Sequence, residues 1–355
     1  MTDTVYLEPI NLTRGVEATA LCAAGLCAWL AGGPVAFAAV RVWQRQNNGG
    51  ATTQVLSFAQ ARQRYPDQVA ALCAAPAMPN GLASDHCHVM GILNVTPDSF
   101  SDGGQFNDHA DAVSWAKAMA ARGASVIDIG GESTRPGAAP VSIEEELART
   151  IPVIQALRAD GFAGVISLDT RNAAVMAAGL DAGADIINDV SALGHDPAAL
   201  PLLAAHDCPI VLMHTQGTPQ TMQNDPTYDV ALLDVYDALA QSVARAISAG
   251  IDKGRLILDP GIGFGKTLDH NLQLMRGLGL FHGIGCSLLL GASRKRFIAG
   301  VDPAAADADD RLGGSLAAVG AAWQMGVQMV RVHDVSQSVQ WLAVASAISD
   351  GLSSD

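Results

Sequence analysis

The chain has 355 residues, 49% of them hydrophobic, enough to bury one large core, so a main domain with an appendage is expected. A formal charge of -14 argues against broad contact with nucleic-acid backbone or anionic lipid, and any anionic substrate must be met by a local cationic pocket. Aromatics make up only 5%; Ala, Gly, Leu and Val must do the filling, which favours helices packed on a parallel sheet over an aromatic-rich sandwich.

No charged residue occurs from Ala18 to Val40. The run is rich in Ala and Gly and broken by Gly32-Gly33-Pro34, so no membrane span is expected. The acids Asp3, Glu8 and Glu17 against a single Arg14 give the wrong charge for a secretory leader. Residues 1–85 read as an N-terminal extension of two or three short elements: a loop over Gln44–Thr53, a helix over Ser57–Ala75, and a linker over Pro76–Asp85. Six cysteines, Cys22, Cys27, Cys73, Cys87, Cys208 and Cys286, form no close-set framework, and reduced thiols in a cytoplasmic protein are expected. His86-Cys87-His88 looks like a metal cluster, but neighbours on a strand point to opposite faces and cannot all reach one ion.

From residue 86 to 355 short apolar strands alternate with amphipathic or Ala-rich helices. The strands expected are His88–Val95, Ser125–Gly130, Gly164–Asp169, Asp185–Asp189, Pro209–His214, Leu256–Asp259, Ser287–Ala292 and Met329–His333. Helices follow them over Asp111–Ala121, Ile143–Arg158, Asn172–Ala182, Pro197–Ala205, Val230–Ala249, His270–Leu278, Arg311–Gln324 and Ser338–Ser349. Ser142 with Glu145 reads as a capping box opening the second helix. The size and order match an α/β chain folded as a (β/α)8 TIM barrel, in preference to a doubly wound open sheet.

Polar groups stand at every strand end: Asn94, the loop Gly131–Gly137, Asp169, Asn188-Asp189, His214, Asp259, Ser293-Arg294-Lys295 and Arg331–Asp334. In a barrel these ends converge on one mouth. Helix caps alone do not account for a polar group at all of them. Asp169, Asn188 and Asp259 are expected in the mouth, flanked by Ile166, Leu168, Ile187, Met213, Ile257 and Phe264. Buried carboxylates need donors, and an aminopyrimidinone edge offers several in one plane. Lys295, Arg331 and His333 form a cationic group suited to a phosphate, with Arg331 and His333 on one face of their strand. Asn94 supplies an oxygen that suits Mg²⁺ bridging to such a phosphate. Structural pairing of Lys295 and Arg331 with the acids is the alternative. Gly261–Lys266 lacks Walker spacing and reads as a loop carrying Phe264 to the pocket.

These stretches together resemble the dihydropteroate synthase family of bacterial folate synthesis: Met90–Gly104, Asp128–Gly137, Ile187–Asp189, Leu212–His214, Leu258–Lys266, Ser293–Lys295 and Arg331–Asp334, over roughly residues 88–350. The resemblance implies a (β/α)8 barrel that condenses 6-hydroxymethyl-7,8-dihydropterin diphosphate with 4-aminobenzoate, using Mg²⁺, and releases pyrophosphate. Carried over by motif, Asp169, Asn188, Asp259 and Lys295 would hold the pterin, and Asn94, Arg331 and His333 the metal and diphosphate. Thr134 and Arg135 would face the diphosphate or the aminobenzoate, whose slot Phe100, Pro136, Phe264 and Ser293 would shape. The resemblance further implies sulfonamide inhibition and a homodimer built on the last helices. Arg171 stands where the family commonly has a small residue, and Thr215 where Met is frequent. A pterin-dependent methyltransferase would not need the Asn94–Gly104 loop or the Arg331–His333 pair. A pterin-binding paralogue without catalysis would have lost some of Asn94, Thr134, Arg135, Lys295, Arg331 or His333, and all are present.

Overall fold

A computed structural model of the protein describes residues 4–46, 49–95, 105–132, 140–218 and 220–350. Eight parallel strands close into a barrel: β5 (His88–Asn94), β6 (Val126–Gly130), β7 (Val165–Asp169), β8 (Ile186–Asp189), β9 (Ile210–Met213), β10 (Leu256–Asp259), β11 (Ser287–Leu290) and β12 (Met329–Val332). Pairing of β12 with β5 seals the ring. The helices are α4 (Gln105–Ala121), α5 (Ile143–Ala159), α6 (Ala173–Ala182), α7 (Ala199–Ala204), α8 (Ala231–Ser248), α9 (Leu268–Arg276), α10 (Phe297–Val301), α11 (Leu312–Gln324) and α12 (Val335–Asp350). Caps set several starts: the Ser142 hydroxyl accepts from Glu145 N–H on α5, and a reciprocal Thr267–His270 box opens α9 at Leu268, ahead of the His270 start expected.

Side-chain alternation divides each strand into a helix-facing set and a barrel-facing set. Met90, Val126, Val165, Ile186, Val211, Ile257, Leu289 and Met329, one from each strand, pack into an apolar floor inside the ring, with Leu82 against it. Ile166, Leu168 and Ile187 have the opposite parity and join the core between sheet and helices, so the expectation that they flank the mouth is corrected. Leu168 points so squarely outward that a Cβ on Gly179 of α6 would collide with its Cδ2.

The N-terminal extension holds far more order than the sequence suggested. Its strands are β1 (Val5–Arg14), β2 (Ala28–Trp29), β3 (Val35–Arg45) and β4 (Ala51–Ser57), with helices α1 (Gly15–Ala23), α2 (Phe58–Arg64) and α3 (Pro66–Cys73). β3 pairs antiparallel with β1 along one edge and with β2 and β4 along the other. Thus Gln44, Arg45 and Ala51–Thr53, expected as loop, belong to strands. Ser57–Ala75 is two helices, because Pro66 cannot continue the first. The sheet buries its own cluster, including Leu30, Val35, Phe37, Val40 and Leu72.

This sheet docks on the flank of the barrel, against α8, α11 and the turn before β11. The Tyr6 hydroxyl donates to Asp237 of α8 at 3.0 Å, Arg45 bridges Asp234 and Asp237, and Arg14 stacks over Trp323. Pro9 lies against Gly279, in the turn before β11. The face away from the floor is left to the loops that follow the strands.

Candidate active site

One step of two residues beyond the floor, the same inward parity brings Asp128 on β6, Ser167 on β7, Asn188 on β8, Met213 on β9, Asp259 on β10 and Arg331 on β12. All but Arg331 are buried, and the Arg331 side chain is only 20% exposed. A charged ring thus lies directly on an apolar one. Asp169, a further step up β7, overlaps it.

The geometry interlocks acids and base. Arg331 donates through Nε to Asp128 Oδ2 at 2.6 Å and through Nη2 to Asp169 Oδ2 at 2.7 Å. The Asn188 amide donates to the same Asp128 oxygen at 3.1 Å. Asp128 Oδ1 and Ser167 Oγ stay buried with no partner among the described residues, which is unusual for native polar groups and marks acceptors free for a ligand. Asp128 opens the Asp128–Gly137 motif, and its place in the mouth is not apparent from the sequence pattern alone. Its signal was a carboxylate in the middle of a fully buried strand.

Across the ring, Gly291 measures how close the other groups come. A Cβ placed there would lie 3.3 Å from Asp259 Oδ2, 3.8 Å from Lys295 Nζ and 3.9 Å from Arg331 Cβ. Lys295 also donates to the Ile262 carbonyl and sits 4.5 Å over the Phe264 ring. Asp259 accepts from Gly261 N–H at 2.7 Å. Burial raises the Asp259 carboxyl, Lys295 opposing. Burial lowers Lys295 to about 8, with Asp259 opposing, and pushes Asp169 up to about 7 against the pull of Arg331.

A strained turn aims the last two loops. Arg294 has φ +57, a left-handed conformation costly for a side chain of this size. It is over-determined by partners: Ser315 Oγ takes its N–H, Arg311 donates to its carbonyl, and its guanidinium forks onto Asp334 at 3.0 and 2.7 Å. On its two sides Ser293 and Lys295 turn inward. Ser293 Oγ accepts from His333 N–H at 3.2 Å and lies 3.3 Å from His333 Nδ1. Asn94 ends β5, half-buried, in register with Gly130 beside Asp169.

Lys266 proves structural. It is buried and donates to Phe264 O, His214 O and His214 Nδ1 at 2.9, 3.3 and 2.9 Å. Burial, then Lys266, lowers His214 to about 3, so its imidazole is neutral. Arg171 forks onto Glu132 at 3.0 and 2.9 Å, tying the end of β7 to the loop after β6. His88 gives its ring nitrogens to Ser125 and Ala83. Phe100, Thr134, Arg135 and Pro136 lie outside the described residues.

A closed parallel barrel whose mouth gathers carboxylates, an amide and half-buried cations over an apolar floor fits a pterin-binding enzyme, and the family model of that description, "Pterin binding enzyme", matches residues 90–333. Dihydropteroate synthase of Escherichia coli (strain K12) is 47% identical over 274 residues, 76% of this chain and 95% of that one. Among solved structures, Yersinia pestis dihydropteroate synthase in a sulfonamide drug complex aligns with TM-score 0.72 at 43% identity, covering 77% of this chain and 98% of that one. The Xanthomonas albilineans enzyme in complex with 7,8-dihydropteroate aligns with TM-score 0.69 at 41% identity, again over 77% and 98%. The chain belongs to the dihydropteroate synthase family of pterin-binding enzymes.

Proposed function

We propose a division of labour for the mouth of this chain, a transferase of the dihydropteroate synthase type that joins 6-hydroxymethyl-7,8-dihydropterin diphosphate to 4-aminobenzoate, giving 7,8-dihydropteroate and pyrophosphate. The pterin lies flat on the charged ring. Asp259 and Asn188 take its amino and ring N–H groups, Asp169 takes a further ring donor, and Lys295 donates to the ring carbonyl. Partnerless Asp128 Oδ1 supports the assignment, because a buried carboxylate oxygen gains a donor only when a ligand brings one.

Arg331 and His333 face the diphosphate. Arg331 is held by Asp128 and Asp169 through Nε and Nη2, which fixes the plane of its guanidinium and leaves Nη1 toward the anion. Thr134 and Arg135 are assigned to the same anion or to the aminobenzoate, and Phe100, Pro136, Phe264 and Ser293 to the aminobenzoate slot. The Asn94 amide meets no side-chain partner among the described residues, and no group of three acidic, His or Cys side chains gathers there. That donor set fits Mg²⁺ held by one amide oxygen with diphosphate oxygens and water. When bound, the ion would neutralise charge on the departing diphosphate.

The bond from the methylene carbon to the diphosphate oxygen breaks early, because the electron-rich dihydropterin stabilises a cationic methylene. The aminobenzoate nitrogen then forms the new C–N bond, and its surplus proton leaves to pyrophosphate or solvent. Positioning and anion stabilisation carry most of the rate, and no strong general base is needed. We read the protein as a cytoplasmic homodimer. Among the described residues no helix is long and apolar enough to cross a membrane, and Val344 and Ile348 on α12 are exposed, which supports pairing there.

The observation that carries this reading is the Asp128–Arg331–Asp169 cluster, with Asp259 and Lys295 across Gly291. Incubation of the protein with pterin diphosphate, 4-aminobenzoate and Mg²⁺ tests it. Pyrophosphate release that requires 4-aminobenzoate supports the reading; release no faster than without the arylamine contradicts it.

A further inference from the structure

In the N-terminal extension, outside the span matched by the family model, two thiols lie almost on top of one another: Cys22 Sγ and Cys27 Sγ are 2.7 Å apart. That is well inside the roughly 3.5–4.0 Å optimum for two non-bonded carbon atoms, and sulfur is larger than carbon. Both cysteines are free.

The sequence explains the closeness. Helix α1 ends in a Schellman motif: Leu26 N–H returns to Leu21 O and Gly25 N–H to Cys22 O, both at 3.0 Å. Gly25, at φ +72, takes the left-handed residue that the motif needs, with open space where a Cβ would stand. The reversed chain brings Cys27 back along the helix it has just left, packed on Ala18 and Ala36. Its Sγ points at Ala18 O. One thiol is therefore fixed by the helix and the other by the turn, and neither needs to move far to meet.

The surroundings differ for the two. Cys27 is buried, whereas Cys22 is half-buried; both line a cavity of about 660 Å³ together with Thr19, Trp29, Gly32 and a third thiol, Cys73. Burial, followed by the neighbouring Cys22, pushes the Cys27 thiol up to about 12. Cys22 is thus the thiol an external reagent meets first.

We propose that Cys22 and Cys27 form an oxidisable dithiol site that reacts with small-molecule disulfides. The Cys22 thiol gives up its proton, and the thiolate attacks one sulfur of the reagent disulfide. That S–S bond breaks, the second reagent sulfur leaves as thiolate and takes up the proton Cys22 released, by way of water, and Cys22 holds a mixed disulfide. Cys27 then attacks Cys22 Sγ, its proton passing to the departing reagent thiolate. Two protein thiols and one small disulfide become one Cys22–Cys27 bond and two small thiols, with two electrons transferred to the reagent. The product staples the end of α1 to the start of β2, and no barrel residue takes part.

The test uses the full-length protein equilibrated in glutathione buffers from fully reduced to fully oxidised, then alkylated, digested and analysed by mass spectrometry. The expected result is loss of alkylation at both Cys22 and Cys27 in oxidising buffer, recovery of a Cys22–Cys27 linked peptide, and reversal by added thiol. Cys73→Ser should keep that peptide, and Cys22→Ser should abolish it while leaving Cys27 alkylated once the protein is unfolded for labelling. Full alkylation of Cys22 and Cys27 in oxidising buffer, a stable glutathione adduct at Cys22 with no linked peptide, or a linkage of Cys22 to Cys73 in its place would overturn the proposal. Because each outcome is read from covalent state, it holds whether or not the assignments in the barrel mouth are correct.

Discussion

The floor and the mouth of the barrel stand two residues apart on the same strands, yet one is apolar throughout and the other carries Asp128, Asn188, Asp259 and Arg331. On β10 the change is from Ile257 to Asp259, on β12 from Met329 to Arg331, on β8 from Ile186 to Asn188. Floor side chains satisfy one another and are covered by Leu82. Mouth side chains do not: Asp128 and Ser167 keep buried oxygens without partners, and burial displaces the proton equilibria of Asp169, Asp259 and Lys295 from their ordinary ranges. The difference teaches where the fold is held and where it is put to use. The floor packs with no polar group left over; the mouth keeps buried oxygens that nothing among the described residues satisfies.

The sharpest way to break this contrast is Arg331→Met. It leaves Asp128 and Asp169 buried beside an apolar group, so unfolding free energy should fall by about 3–5 kcal/mol. The rate of pyrophosphate release should drop at least ~100-fold, through loss of anion stabilisation. Denaturant titration and the coupled assay read the two effects separately; an active variant would remove Arg331 from the mechanism.

On the floor, Ile257→Ala should cost about 2–5 kcal/mol of stability as a buried cavity. Pterin affinity in the surviving folded protein should stay within several-fold of the parent. A loss of affinity as large as that from a mouth variant would show that the two rings do not work apart.

Beneath the floor, His282 gives a pH test. Its Nε2 pairs with Met325 O, and burial lowers its pKa from 6.5 to about 4. A depressed value means the contribution is present above the unfolded pKa of 6.5 and is lost as pH falls through about 4, on the order of 3 kcal/mol in all. Asp169, raised to about 7, acts with the opposite sign over an overlapping range, so the informative quantity is the difference between parent and His282→Gln. Urea titrations at successive pH values should show that difference shrinking steadily from pH 7 to pH 4. A constant difference would contradict the burial argument.

The smallest effect belongs to the rim. Arg171→Ser leaves Glu132, which is only 9% exposed, without its partner and should cost about 1–2 kcal/mol. Arg171→Lys should recover part of this in the same titration, and no difference between the two would make the fork irrelevant to stability.

The barrel was legible because a polar or charged side chain stands at or just beyond the end of each short apolar run, where a loop begins. Alternation within the strands was harder to read. Runs buried on both faces look uniformly apolar, which is why Ile166, Leu168 and Ile187 were set beside the mouth when they face the helices, and why Asp128 was passed over. The same effect hid the N-terminal sheet. β3 is covered by its own helices on one side and the barrel on the other, so Val35–Val42 shows none of the period-two polarity of a half-exposed strand. Its apolar run raised the question of a membrane instead. Long-range partners were beyond reach of spacing altogether: nothing local to Arg171 points to Glu132, or to Cys22 and Cys27 meeting across a turn.

In the proposed function the mouth ring holds the pterin while the floor supports the ring. Equilibrium binding of 6-hydroxymethylpterin to the parent, to Asp259→Ala and to Ile257→Ala tests this most directly. Asp259→Ala should bind at least ~100-fold more weakly, in keeping with loss of a charged hydrogen-bonding partner, and Ile257→Ala should bind nearly as the parent does. Equal affinity for Asp259→Ala and the parent would contradict the account.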